Sequence, residues 1–158
     1  MIFTTKAEYG VRLLVELGRQ SEARPVSLKA IAEAEGLPLA YLERIVALLR
    51  KAELVESTRG AHGGYRLARP AEEIRMDEAI LALEGSVAPM TCFVDDRGET
   101  GHSVLCSHEA DHGHGCATKL LWTRVQGGVF KALQQTTLAD LVAFSAKTTS
   151  PRQPVAAA

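Results

Sequence analysis

The stretch from Ser27 to Ala68 restricts the fold more than any other part of the chain. Ser27 suits the N-cap of a short helix whose inner face is Leu28, Ile31 and Ala32. Gly36 and Pro38 punctuate a tight turn, and a second helix is expected from about Leu39 to Ala52, with Leu42, Ile45, Val46 and Leu49 on one stripe. Two short helices across a glycine-containing turn make a helix-turn-helix. Leu54–Thr58 then reads as a strand, residues 59–64 as a glycine-rich hairpin tip, and Tyr65–Ala68 as the returning strand, which Pro70 ends. A hairpin directly after the second helix is a wing.

Ahead of this unit, Thr4 and Thr5 are good helix caps, and Ala7, Val11, Leu14 and Leu17 follow at helical spacing. Beyond it, Met76–Leu83 reads as a short helix that Glu84 and Gly85 end. A long helix is expected from about Ala117 to Gln134, carrying Leu121, Val125, Val129 and Leu133 with Leu120, Trp122, Phe130 and Ala132 beside them. So wide an apolar stripe calls for a partner helix, and a winged domain this small leaves little surface to cover it. Gly127 and Gly128 inside it permit a close helix crossing or mark a bend. The expected fold class is mainly α with a small β-hairpin wing: a winged helix-turn-helix plus a long dimerisation helix. Its divisions are a winged domain at 1–70, a connecting helix at 71–91, a cysteine-rich cofactor loop at 92–116, dimerisation helices at 117–145 and a disordered tail at 146–158.

A helix-turn-helix with a wing points to double-stranded DNA. The outward positions of the second helix are Ala40, Tyr41, Glu43, Arg44 and Ala47. Arg bonds guanine O6 and N7, and Glu accepts from cytosine N4. Arg59 suits a narrow, electronegative minor groove, and the tip glycines, Gly60 first, let backbone approach a sugar-phosphate chain. The net charge of −1 hides an uneven distribution. Residues 1–70 hold eleven Lys/Arg and eight Asp/Glu, and residues 71–158 hold seven and eleven. The basic half suits phosphate.

All three cysteines, Cys92, Cys106 and Cys116, fall within one short stretch. An odd number argues against a disulfide framework, and the clustering favours a ligand role. Thiolates are soft donors for an iron–sulfur cluster or for zinc. Three of them leave one position for another residue, and His102, His108, His112 and His114 lie in the same loop. A site of three cysteines and one histidine, with His108 or His114, suits zinc by composition, although paired CxxC elements are missing. A third reading drops the metal and uses the thiols directly as an oxidation sensor. A metal-dependent enzyme built on this loop is the alternative of another class. No HExxH, GxSxG or phosphate-loop motif supports it, and no enzyme is expected. Val11–Leu17, broken by Arg12 and Glu16, is too short to span a bilayer, and no secretory leader is evident, so a cytoplasmic protein without membrane contact is expected.

The sequence resembles the Rrf-two family of winged-helix transcription regulators, which includes IscR-like and NsrR-like members. The stretches that carry the resemblance are Thr4 to Gly10, Ile31 to Glu33, Leu39 to Glu43, Leu48 to Val55, Arg59-Gly60 and Gly63 to Tyr65, together with Cys92, Cys116 to Trp122 and Thr137 to Val142. The resemblance implies a homodimer in which the long helix crosses its partner, and contacts from Glu43, Arg44 and Arg59 to a palindromic operator. It also implies a repressor that senses redox, iron–sulfur status or nitric oxide through a cluster, 2Fe-2S or 4Fe-4S, held by the three cysteines. Glu8 stands where NsrR-like members have an acidic residue that looks like a ligand donated across the dimer. IscR-like members use a histidine just after the last cysteine; here the residue three past Cys116 is Lys119. Thirteen and nine residues separate the cysteines, wider intervals than the family usually has.

Overall fold

The computed structural model describes residues 3–20, 24–60, 63–88 and 117–148. Helix α1 spans Thr5–Arg19, and Thr4 is its cap: the Thr4 hydroxyl accepts from the Lys6 amide at 3.2 Å. Its buried face is Ala7, Gly10, Leu13, Leu14 and Leu17. Helix α2, Leu28–Glu35, begins where Ser27 Oγ accepts from the Ala30 amide at 3.1 Å. It ends at Gly36, whose φ of 64° is left-handed, and the Leu37 amide closes back on the Ala32 carbonyl at 2.9 Å. Helix α3, Leu39–Lys51, buries Leu42, Ile45, Val46 and Leu49, the stripe expected from the spacing.

The exit from α3 holds a feature that spacing does not show. The Leu54 amide bonds the Leu49 carbonyl at 3.0 Å and the Glu53 amide bonds the Arg50 carbonyl at 3.0 Å, so the helix closes with the backbone pattern that glycine usually serves. Glu53 takes the left-handed position, with φ 57°. Leu54 is therefore part of the helix terminus and fully buried, which is why the strand begins one residue later than the sequence suggests.

Strands β1 (Val55–Thr58) and β2 (Gly64–Leu67) form an antiparallel hairpin, with Val55 opposite Leu67 and Thr58 opposite Gly64. Glu56 and Arg66 form a cross-strand ion pair. The wing is anchored at a third point, because Val26 and Tyr65 exchange both backbone hydrogen bonds at 2.8 Å. Gly64 makes that approach possible: a Cβ there would lie 2.5 Å from the Val26 carbonyl oxygen.

A single 3-10 turn, Ala71–Glu73, leads to helix α4 at Met76–Glu84, which Gly85 ends with φ 80°. Helix α5 spans Ala117–Gln134 and runs unbroken through Gly127 and Gly128, at which an added Cβ would meet nothing within 4 Å among the described residues. Helix α6, Leu138–Thr148, starts in a capping box: Asp140 Oδ2 accepts from the Thr137 amide at 2.9 Å, and Thr137 Oγ1 accepts from the Asp140 amide at 3.2 Å. The Thr137 donors hold the Asp140 carboxyl below its ordinary range.

One apolar core joins these elements. Its fully buried side chains include Leu13 and Leu14 of α1, Ile31 of α2, Leu42, Ile45 and Leu49 of α3, and Leu54. Ile74, Leu83 of α4 and Leu138 of α6 belong to the same core. The last helix is tied in through backbone as well: the Met76 amide bonds the Thr136 carbonyl at 2.9 Å, and the Leu138 amide bonds the Ile74 carbonyl at 2.8 Å.

Two stability outcomes follow. Gly64→Ala would force its Cβ into Val26 backbone, which has no side-chain rotamer to yield, so a loss of about 1–3 kcal/mol in urea unfolding is expected. Gly127→Ala, in open helical space, is expected to gain about 0.5–1 kcal/mol in the same assay.

The third concerns pH. Burial pushes the Glu78 carboxyl up, but the Arg69 guanidinium at 2.8 Å and the Arg75 amide at 2.9 Å outweigh it, leaving Glu78 below its ordinary range. A depressed carboxyl adds stability above its unfolded pKa and loses it as pH falls through the folded one. Glu78→Gln is therefore expected to destabilise the protein at neutral pH and to converge with the wild type on the acid side of the carboxylate range. Denaturation midpoints across pH would check this.

Candidate nucleic-acid interface and sensor elements

Because the buried stripe of α3 uses Leu42, Ile45, Val46 and Leu49, its outward positions are fixed by helical geometry. Ala40, Glu43, Arg44 and Ala47 are exposed, as are Arg50 and Lys51 in the last turn. Among the described residues neither Glu43 nor Arg44 has an ion-pair partner, so both side chains face solvent ready for another molecule. Tyr41 differs from the other outward positions. It is half-buried, and its ring meets that of Tyr9 edge to face, with centroids 5.7 Å apart at 89°.

Arg59 and Gly60 are exposed just beyond β1, and Gly60 has φ 121°, a conformation open to glycine and strained for any side chain. The Gly63 amide closes the tip on the Gly60 carbonyl at 2.9 Å. Arg12 of α1 grips the end of α2 by donating to both the side chain and the main-chain carbonyl of Glu35. It thereby braces the turn that precedes the outward-facing helix.

Glu8 is exposed in the first turn of α1 and has no ion-pair partner among the described residues. It borders a cleft of about 440 Å³ lined also by Phe3, Thr4, Thr5, Val11 and Ile80. Cys92, Cys106, Cys116, His108 and His114 lie outside the described residues. What is described on either side of their segment is the chain up to Ala88 and from Ala117. Val87 is buried with Ala7 and Ile80, and its carbonyl accepts from Gln126 Nε2 of α5 at 3.0 Å.

Helix α5 divides its apolar stripe between two uses. Val129, Phe130 and Leu133 are partly buried against the protomer's own Ala7, Ile80 and Val87 cluster, so this part of the stripe has an intramolecular contact. Leu120 and Leu121, two turns earlier, stay 62% and 55% exposed.

Residues 3–144 match the model of the Rrf2 family, described as an iron-dependent transcriptional regulator. The chain belongs to this family. It is similar to protein rrf2 of Nitratidesulfovibrio vulgaris, with 37% identity over 142 residues, 90% of this chain and 87% of that protein. Among solved structures it is similar to IscR of T. potens, with a TM-score of 0.74, 33% identity and coverage of 97% of this chain and 94% of that one. It is also similar to CymR, titled the global cysteine regulator of B. subtilis, with a TM-score of 0.70, 34% identity and coverage of 91% and 98%. The family and these relatives are transcription regulators and not enzymes, which removes the metal-dependent enzyme as a reading. The helical fold with its two-stranded wing is the fold of this family. Among the described residues no helix is long and apolar enough to cross a membrane.

One residue that sequence reasoning did not single out stands at the junction of these parts. Glu84, taken from the sequence only as the end of a helix, places Oε1 3.2 Å from the Thr4 amide, 2.6 Å from the Thr4 hydroxyl and 3.2 Å from the Ala7 amide. Nothing in the local sequence relates position 84 to position 4; only the tertiary packing of α4 on α1 does.

Proposed function

We propose that this regulator binds a palindromic operator as a homodimer, reading bases with Glu43 and Arg44 on α3 and the minor groove with Arg59 and Gly60 in the wing. The observation that carries the proposal is the outward face of α3, where a glutamate and an arginine without ion-pair partners among the described residues stand on a helix whose opposite face is locked in the core. Tyr41 takes part at the margin of this surface, with its ring braced by Tyr9. The divisions at 1–70 for DNA, 71–91 for connection, 92–116 for the cofactor, 117–145 for dimerisation and 146–158 for the tail serve this reading. Exposed Leu120 and Leu121 supply the part of the α5 stripe that a second copy would cover. Such a protein works in the cytoplasm, as a repressor whose operator affinity follows the state of its sensor.

The sensor is an iron–sulfur cluster held by Cys92, Cys106 and Cys116, with Glu8 of the partner subunit or a loop histidine, His108 or His114, as the remaining ligand. The donor set fits: three soft thiolates suit iron, and the exposed Glu8 carboxylate, without an ion-pair partner among the described residues, is a hard and therefore labile fourth donor. When bound, the group supplies a centre that responds to oxidation, to iron–sulfur supply or to nitric oxide. The family's description as iron-dependent favours this reading over zinc or direct thiol oxidation.

Arg44→Ala and Arg59→Ala are each expected to weaken binding to a duplex selected by the wild-type chain from a randomised library by about 1–3 kcal/mol. Arg44→Ala is also expected to relax the base preference at one position. Unaltered affinity in both variants would remove this surface from the account. For the sensor, anaerobically purified protein is expected to carry iron, acid-labile sulfide and a visible chromophore that Cys92→Ala, Cys106→Ala or Cys116→Ala bleaches. Stoichiometric zinc with neither iron nor sulfide would replace the cluster with the zinc reading.

A further inference from the structure

We infer that Glu84 is a positioning residue for the DNA-reading helix, acting through the first two turns of α1 and the Tyr9–Tyr41 contact. The inference rests on the reading of α3 as the helix that meets DNA.

Glu84 is the last residue of α4, an unfavourable place for a carboxylate in its own helix because the C-terminal end carries partial negative charge. Its compensation lies in another helix. Oε1 accepts from the Thr4 amide, the Thr4 hydroxyl and the Ala7 amide, which it shares with the Thr4 carbonyl, at the N-terminus of α1, where the positive end of the helix dipole favours an anion. The contact is tight because α1 and α4 meet at Gly10: a Cβ there would lie 2.4 Å from Leu83 Cδ1, and Leu83 is itself buried. The first turns of α1 therefore follow the end of α4.

Two contacts carry that position onward to the helix-turn-helix. Tyr9, five residues past Thr4, meets Tyr41 in the first turn of α3 edge to face at 5.7 Å. Arg12, almost one turn later, holds the end of α2 through Glu35. On the other side of Glu84, Val87 is packed on Ala7 and hydrogen-bonded to Gln126 of α5. Only Gly85 and Ser86 thus separate the anchor on α1 from an anchor on α5, and the stretch holding the cysteines begins just beyond. A rearrangement of residues 85–88 bears directly on the carboxylate that seats α1, and a shift of α1 bears on α3 through a ring contact whose geometry is directional.

The test uses the full chain labelled with 3-fluorotyrosine, which reports Tyr9, Tyr41 and Tyr65 separately by fluorine NMR. Glu84→Ala is expected to shift the Tyr9 and Tyr41 resonances and leave Tyr65, on the wing, in place. Glu84→Gln, which keeps an acceptor without the charge, is expected to give a smaller shift in the same direction and covers the case in which the alanine variant does not fold. Affinity for the selected duplex is expected to fall roughly three- to tenfold in Glu84→Ala and in Tyr9→Leu, with the double variant no worse than the weaker single one. A folded Glu84 variant with an unmoved Tyr41 resonance, or losses that simply multiply in the double variant, would overturn the inference and leave Glu84 as a local cap. If the wild type selects no duplex, the reading of α3 falls, while the fluorine shifts still decide whether Glu84 sets the position of α3.

Discussion

Helix α1 is the constraint on which the other elements depend. Leu13, Leu14 and Leu17 enter the core that also holds α2, α3 and α4, and the helix is approached closely at two glycines. Gly10 admits Leu83 of α4, and Gly18 admits Val142 of α6, each at a distance that a Cβ could not share without displacement. Its polar positions are equally committed, with Thr4 bonded to Glu84, Arg12 to Glu35, and Arg19 to Glu16 and to Ser145 of α6. A helix held on so many sides behaves as a rigid strut, and elements packed on it keep fixed relations to one another.

That rigidity is what the proposed DNA-reading surface on a chain of this size would rest on. That Glu43 and Arg44 have no ion-pair partner among the described residues sacrifices no core contact, because α3 is fixed by its four buried residues and by its glycine-like exit at Glu53. The wing is likewise pinned at its root, by Val26 and by Ala68, whose amide bonds the Leu54 carbonyl at 3.0 Å. Side chains that project from fixed backbone lose less entropy on binding than those on mobile loops. The one aromatic of α3, Tyr41, is half-buried and meets Tyr9 edge to face, which joins the outward face of α3 to α1.

Helices α2 and α3, the wing and the family itself were legible in the sequence, since each has a local signal: Ser27 as a cap, Gly36 as a stop, a stripe at helical spacing, and glycines at the hairpin tip. Contacts between distant positions were not. The left-handed Glu53 gives no compositional cue, and the Val26–Tyr65 bridge pairs a loop with a strand far along the chain. The apolar stripe of α5 was visible, but periodicity reports only that a face will be covered. The structure shows Val129, Phe130 and Leu133 partly buried against the protomer itself while Leu120 and Leu121 remain exposed. Glu84 illustrates the same limit, because its partner Thr4 lies eighty residues earlier.

Contact mapping decides whether the outward face of α3 meets DNA. Benzoylphenylalanine placed at position 43 or at position 59 would be irradiated with the selected duplex, alongside the same probe at exposed Lys131 near the end of α5. The account predicts crosslinks to the duplex from positions 43 and 59 and none from 131. Crosslinking from 131 with none from 43 and 59 would contradict it.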